Sequence, residues 1–104
     1  MSLKSDFAPV HDGHIRLSVL QLLDAQPGYL ANDSVLHQAV SAMGLACTRD
    51  QMRGHMGWLE EQRLVTLLVP AAGIVVATLT ERGADVAAGR SIITGVARPQ
   101  PKAS

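Results

Sequence analysis

Cysteine, aromatic side chains and surplus charge are all scarce in this chain, and each scarcity removes a class of proteins. Cys47 is the one cysteine, so no internal disulfide can form and a disulfide-stapled secreted scaffold is excluded. A lone thiol fits a reducing, cytoplasmic compartment. The aromatics are Phe7, Tyr29 and Trp58, so the core must be assembled from Leu, Val, Ile, Met and Ala. Nine basic side chains face nine acidic ones, without the excess that a strongly basic nucleic-acid module carries. Long apolar runs are missing as well. The longest uncharged stretch, Leu64 to Thr80, is interrupted by Pro70-Ala71-Ala72-Gly73 and falls short of the ~20 apolar residues of a membrane helix. Asp6, His11, Asp12 and His14 interrupt any secretory leader. No glycine-rich phosphate loop, nucleophile elbow or carboxylate pair with a histidine is found, so neither an enzyme nor a cofactor is expected.

What is present suits one packed domain: 104 residues, 47% of them hydrophobic. Ile15, Val19, Leu22 and Leu23 recur at helical spacing and predict a helix over about Asp12 to Ala25. Pro27-Gly28 stops it, and Tyr29-Leu30 reads as a short extended piece. Asn32-Asp33-Ser34 offers cap chemistry for a helix over Asp33 to Met43, with Val35, Leu36, Ala39, Ala42 and Met43 on its apolar side and Gly44 as its stop. Thr48-Arg49-Asp50-Gln51 is a capping box that opens a third helix reaching about Gln62. Met52, Met56 and Leu59 form its buried stripe, flanked by a half-buried His55.

From Leu64 the period changes. Leu64 to Val69 and Ile74 to Leu79 predict a hairpin across Pro70 to Gly73. Thr80-Glu81 then caps a short last helix ending near Gly89. The expected order is helix, short strand, helix, helix, β-hairpin, short helix: an α+β, mostly α, winged helix-turn-helix. Residues 1–11 are expected as a flexible segment, 12–89 as the domain and 90–104 as a partly extended basic arm carrying Arg90, Arg98 and Lys102.

Trp58-Leu59-Glu60-Glu61-Gln62-Arg63-Leu64-Val65 followed by Leu79-Thr80-Glu81-Arg82-Gly83 resembles the W-L-x-x-x-G-L-V and L-T-x-x-G skeleton of ArsR- and MarR-type winged-helix regulators. Over roughly Ile15 to Pro101 the chain more narrowly resembles small winged-helix proteins of Mu-like phages and prophages. The resemblance implies the fold and DNA binding. Two departures stand out. Arg63 occupies the usual glycine position after the third helix, and the metal-sensing cysteine cluster of ArsR-type proteins is absent.

With its apolar stripe inward, the third helix turns Asp50, Arg53, Gly54 and Gly57 outward, with Arg49 at the flank. Arg49 and Arg53 lie one turn apart near the end that reads base edges in such folds. An arginine fork on a guanine edge gives ~1–3 kcal/mol of discrimination. The bland reading is a solvated face on which Arg53 pairs with Asp50. Thr48 and the start of the second helix would offer backbone donors to phosphates, and Arg90 and Arg98 would add phosphate contacts from the tail.

The expected function is a repressor-like, DNA-binding transcriptional regulator of phage type that binds double-stranded DNA as a homodimer. Leu17, Ile92 and Ile93, with the apolar hairpin, are the expected dimer surface. The rival is a winged helix that works as a protein-interaction module in a phage replication or assembly complex, with a phage or host protein as partner. The charge-free hairpin favours the rival, because DNA affinity rests on phosphate neutralisation. The feature that separates them is whether Arg49 and Arg53 are free or held in internal ion pairs. His11 and His14 have i, i+3 spacing but no third ligand nearby, so no metal is expected. Cys47 reads as a small buried hydrophobe, with thiolate activation by the following helix as the lesser alternative.

Overall fold

The computed structural model describes the backbone of residues 3–101 and the side chains of residues 7–101. It is α+β and mostly helical. Its first helix, α1 (Leu3–Ala25), is followed by a 3₁₀ turn at Pro27–Tyr29, then β1 (Leu30–Asn32), α2 (Asp33–Ala42) and α3 (Arg49–Glu61). A hairpin of β2 (Val65–Ala71) and β3 (Ile74–Leu79) leads to α4 (Glu81–Ala87). The sheet is antiparallel in the order β1-β3-β2, so the short first strand closes the inner edge of the hairpin.

Local chemistry places the boundaries. The Asn32 side chain accepts from Val35 N at the start of α2, and Thr48 and Gln51 satisfy each other's backbone donors at the start of α3. Thr80 caps α4 by accepting from Gly83 N, and its hydroxyl also lies within hydrogen-bonding distance of the Leu64 and Arg63 carbonyls at the end of α3. Arg63, where the resembled families carry glycine, takes the left-handed φ of 62° that ends α3. Gly83 is required for contact: a Cβ there would run into the Leu64 carbonyl.

Three expectations are corrected. The first helix starts at Leu3, so the flexible reading of residues 1–11 fails from Leu3 onward, and Pro9 lies inside the helix. Leu17 is 6% exposed and belongs to the core. It is no dimer surface, because α1 is packed against α4 as well as against α2, α3 and β3, which covers its second face. On α2 the buried positions are Asp33, Leu36 and Val40, while Val35 and Met43 are exposed.

The core joins Ile15, Val19, Leu20 and Leu23 of α1 to Leu36, Val40, Met52, Met56 and Leu59. The segment after α4 is no free arm. Its described residues, which run to Pro101, hold no helix or strand, and they fold back on the body. Val96 is buried, Ala97 N donates to Gly13 O at 3.1 Å, and Pro99 packs on Gly89. Lys102 lies outside the described residues.

Candidate functional site

The outward end of α3 is organised by a residue on another helix. Asp33, the first residue of α2, has no solvent exposure, and it is held in place by the turn that Asn32 caps. Its Oδ2 accepts from Arg53 Nε at 2.7 Å and from Arg49 Nε at 3.3 Å, while Val75 N of β3 donates to Oδ1 at 3.3 Å. Both guanidinium groups then reach across to the hairpin turn: Arg53 Nη2 donates to Gly73 O at 2.6 Å and Arg49 Nη2 at 3.3 Å. Two arginines thus tie the start of α2, the start of α3 and the tip of the hairpin into one node.

Burial alone would raise the Asp33 pKa. Hydrogen bonds from Arg53, the Val75 amide and Arg49, with the charge of Arg49, outweigh it and lower the pKa from 3.8 to about 2. The carboxylate is therefore ionised throughout the neutral range. The bland alternative, Arg53 paired with Asp50 on one helix face, is not what forms: the partner is Asp33, twenty residues away. Arg49 keeps a side chain 50% exposed and Arg53 one 36% exposed. The buried Asp33 carboxylate offsets one of the two guanidinium charges in the node.

The other expected DNA-contacting residues separate. Thr48 is exposed, with its hydroxyl occupied by the cap. Gly54 is exposed and Gly57 partly so, and neither would meet a neighbour if it carried a Cβ. Gly54 forms part of the wall of a groove of about 530 Å³ between the N-terminal half of α1 and α3. Arg90 pairs with Asp85 at 2.9 Å, and Arg98 is exposed on the segment folded behind α4. Of the expected dimer residues, Ile92 is 64% exposed and Ile93 is packed against the core.

The hairpin carries a second surface. The register aligns Leu30, Thr78 and Thr66 in one row across the sheet and Asn32, Val76 and Leu68 in the next. Alternation puts these rows on the side opposite Ala31, Ala77 and Leu67. Leu68 is 66% exposed, and Leu30, Val69 and Ile74 are exposed too. No charged side chain lies in these strands. Along the outer edge of β2, Glu60 of α3 accepts from Leu67 N at 2.8 Å and covers a backbone donor that would otherwise invite another strand.

Sequence reasoning missed Asp33 as the hub, because a residue after Asn32 reads as cap chemistry and its partners lie far along the chain. It also missed Arg16, which stacks 4.0 Å above the Trp58 ring and donates to His55 Nδ1. Cys47 is partly buried, and desolvation together with Asp12 raises its thiol pKa, opposite to the activation considered for it.

No family model matches this chain, and no solved structure matches it. It is 48% identical over 73 residues to "Uncharacterized protein gp26" of Escherichia phage Mu, covering 70% of this chain and 75% of that protein. It is also 40% identical over 67 residues to an "Uncharacterized protein" of Haemophilus influenzae, covering 64% of this chain and 65% of that one. No described helix is long and apolar enough to cross a membrane. On the extent and identity of the first match, the chain belongs to the family of the phage Mu protein gp26.

Proposed function

We propose that this chain is a winged-helix domain that works as a protein-interaction module in a Mu-like phage or prophage complex, docking through the uncharged outer face of its sheet and hairpin. The element order and the β1-β3-β2 sheet support the winged-helix reading. One observation carries the interaction reading. The two arginines best placed to meet DNA are bound to the buried Asp33 and to the hairpin carbonyl of Gly73. They act as internal struts, and the Asp33 carboxylate offsets one of their two positive charges, which leaves less for phosphates. The surface they brace is apolar at Leu68 and Ile74, which suits a protein partner. A second copy of the chain is the first occupant to test, because a net charge of zero puts no overall repulsion between copies.

Size-exclusion chromatography with light scattering is the first test. The expected result is a concentration-dependent dimer that Leu68→Lys returns to monomer. A wild-type monomer at all concentrations, with no heterologous phage partner recovered in binding assays, removes the reading.

A second reading, a DNA-binding regulator with α3 in the major groove, is favoured by one observation: the Arg49 side chain remains half exposed at the N-terminal end of α3. Fluorescence anisotropy with duplexes from the protein's own upstream region, at two salt concentrations, separates the two. Tight, salt-sensitive binding that Arg49→Gln weakens supports the regulator. Absence of binding by folded protein at low salt rejects it.

A further inference from the structure

The segment after α4 is clamped to the body through one arginine. Arg16 Nη1 donates to Gly95 O at 3.1 Å, its Nε donates to His55 Nδ1 at 3.2 Å, and its guanidinium lies 4.0 Å above the Trp58 ring. Gly95, at φ 98°, fits edge-on against Trp58 so closely that a Cβ would clash with the ring. Two residues on, Ala97 N donates to Gly13 O. Arg16 is thus held on one side by a buried imidazole and itself holds the segment on the other.

The donor–acceptor sense decides the chemistry. A guanidinium only donates, so His55 Nδ1 must carry a lone pair and the ring proton sits on Nε2, 3.6 Å from Asp12 Oδ1. A second proton on His55 would turn Nδ1 into a donor pointing at a donor, with two cations in contact. We infer that residues 91–99 form a latch that His55 holds shut through Arg16, and that protonation of this histidine releases it.

The charged groups facing the ring all lie on α1. Arg16 and His11 oppose protonation and Asp12 favours it, while the latch itself brings no ionisable group to the ring. Burial comes first among the influences that lower the His55 pKa below 6.5, followed by Arg16 and His11, with Asp12 working against them. The sign follows directly. An open state with an ordinary histidine binds more protons than the closed state below pH 6.5. Opening therefore grows as pH falls, by up to about tenfold per pH unit between that value and the closed-state one.

Trp58 is the one tryptophan, so its fluorescence reports the latch directly. The test follows Trp58 emission, far-UV circular dichroism and hydrogen exchange of the Ala97 amide in the full chain from pH 8 to 5. The expected result is a Trp58 change with a midpoint below 6.5. Ala97 protection falls with it by up to about tenfold per pH unit, while helical dichroism stays constant. His55→Gln removes this step, Asp12→Asn moves it to lower pH, and Arg16→Gln leaves the latch open at every pH. Trp58 and Ala97 signals that stay flat until global unfolding overturn the inference, as does an unchanged step in His55→Gln that His11→Gln abolishes instead.

Discussion

Asp33 is a carboxylate without solvent exposure whose oxygens are approached by Arg53, Arg49 and a backbone amide. Such a group is costly to strand, since removing one partner of a buried pair commonly costs about 3–5 kcal/mol. Arg53→Ala is expected to destabilise the fold by about 3 kcal/mol in urea titration. Arg49→Ala, with the longer contact and the more exposed side chain, costs less. Because the Asp33 pKa lies at about 2 in the fold against 3.8 ordinarily, its contribution is complete above pH 3.8 and is lost as pH falls through 2. Urea titrations at pH 7 and at pH 2 should differ by about 2 kcal/mol from this group, and Asp33→Asn should flatten that part of the difference. Arg63 presents the opposite case. A Cβ at φ 62° is strained by about 1 kcal/mol, partly offset by the freer unfolded chain that glycine brings. Arg63→Gly is therefore expected to raise the melting temperature slightly.

The elements meet at close backbone approaches that a sequence pattern only hints at. Gly83, the last residue of the L-T-x-x-G stretch, lies in α4 against the Leu64 carbonyl and the Leu79 side chain. The same carbonyl accepts from Thr80 N, so the approach of α4 to the end of α3 is built into the capping turn. Gly83→Ala forces that junction apart, and a loss of about 3 kcal/mol or more is expected, measurable as a drop in the urea midpoint with an unchanged slope. Capping residues, hairpin and element order were all legible here because each depends on a few neighbouring residues. The start of α1 was not. The apolar spacing that marks this helix begins only at Ile15, yet the helix runs from Leu3 and takes in Pro9, although an interior proline costs about 3 kcal/mol in an isolated helix.

For the whole molecule, the segment after α4 changes which surfaces are available. It covers Gly13 and the edge of Trp58 and buries Val96, leaving Ile92 outside and Ile93 inside. Gly95→Val should push this segment away from Trp58, shift the tryptophan emission at neutral pH and lower the melting temperature, with the sheet's outer face unaffected. Leu68→Lys should do the reverse, leaving tryptophan emission and stability unchanged while removing self-association.

The sequence by itself determined the elements, their order and most of the core of α1 and α3, because helical period, strand alternation and caps are local properties. It also marked Arg49, Arg53 and the uncharged hairpin as the region in question. Only the tertiary structure decided what those arginines do. Their partner Asp33 and the Gly73 carbonyl lie 16 to 24 residues away along the chain, and no periodicity reaches across that distance. The same reason placed Leu17 in the core and Arg16 beneath the returning C-terminal segment: helical spacing identifies a second face, but only packing determines what covers it.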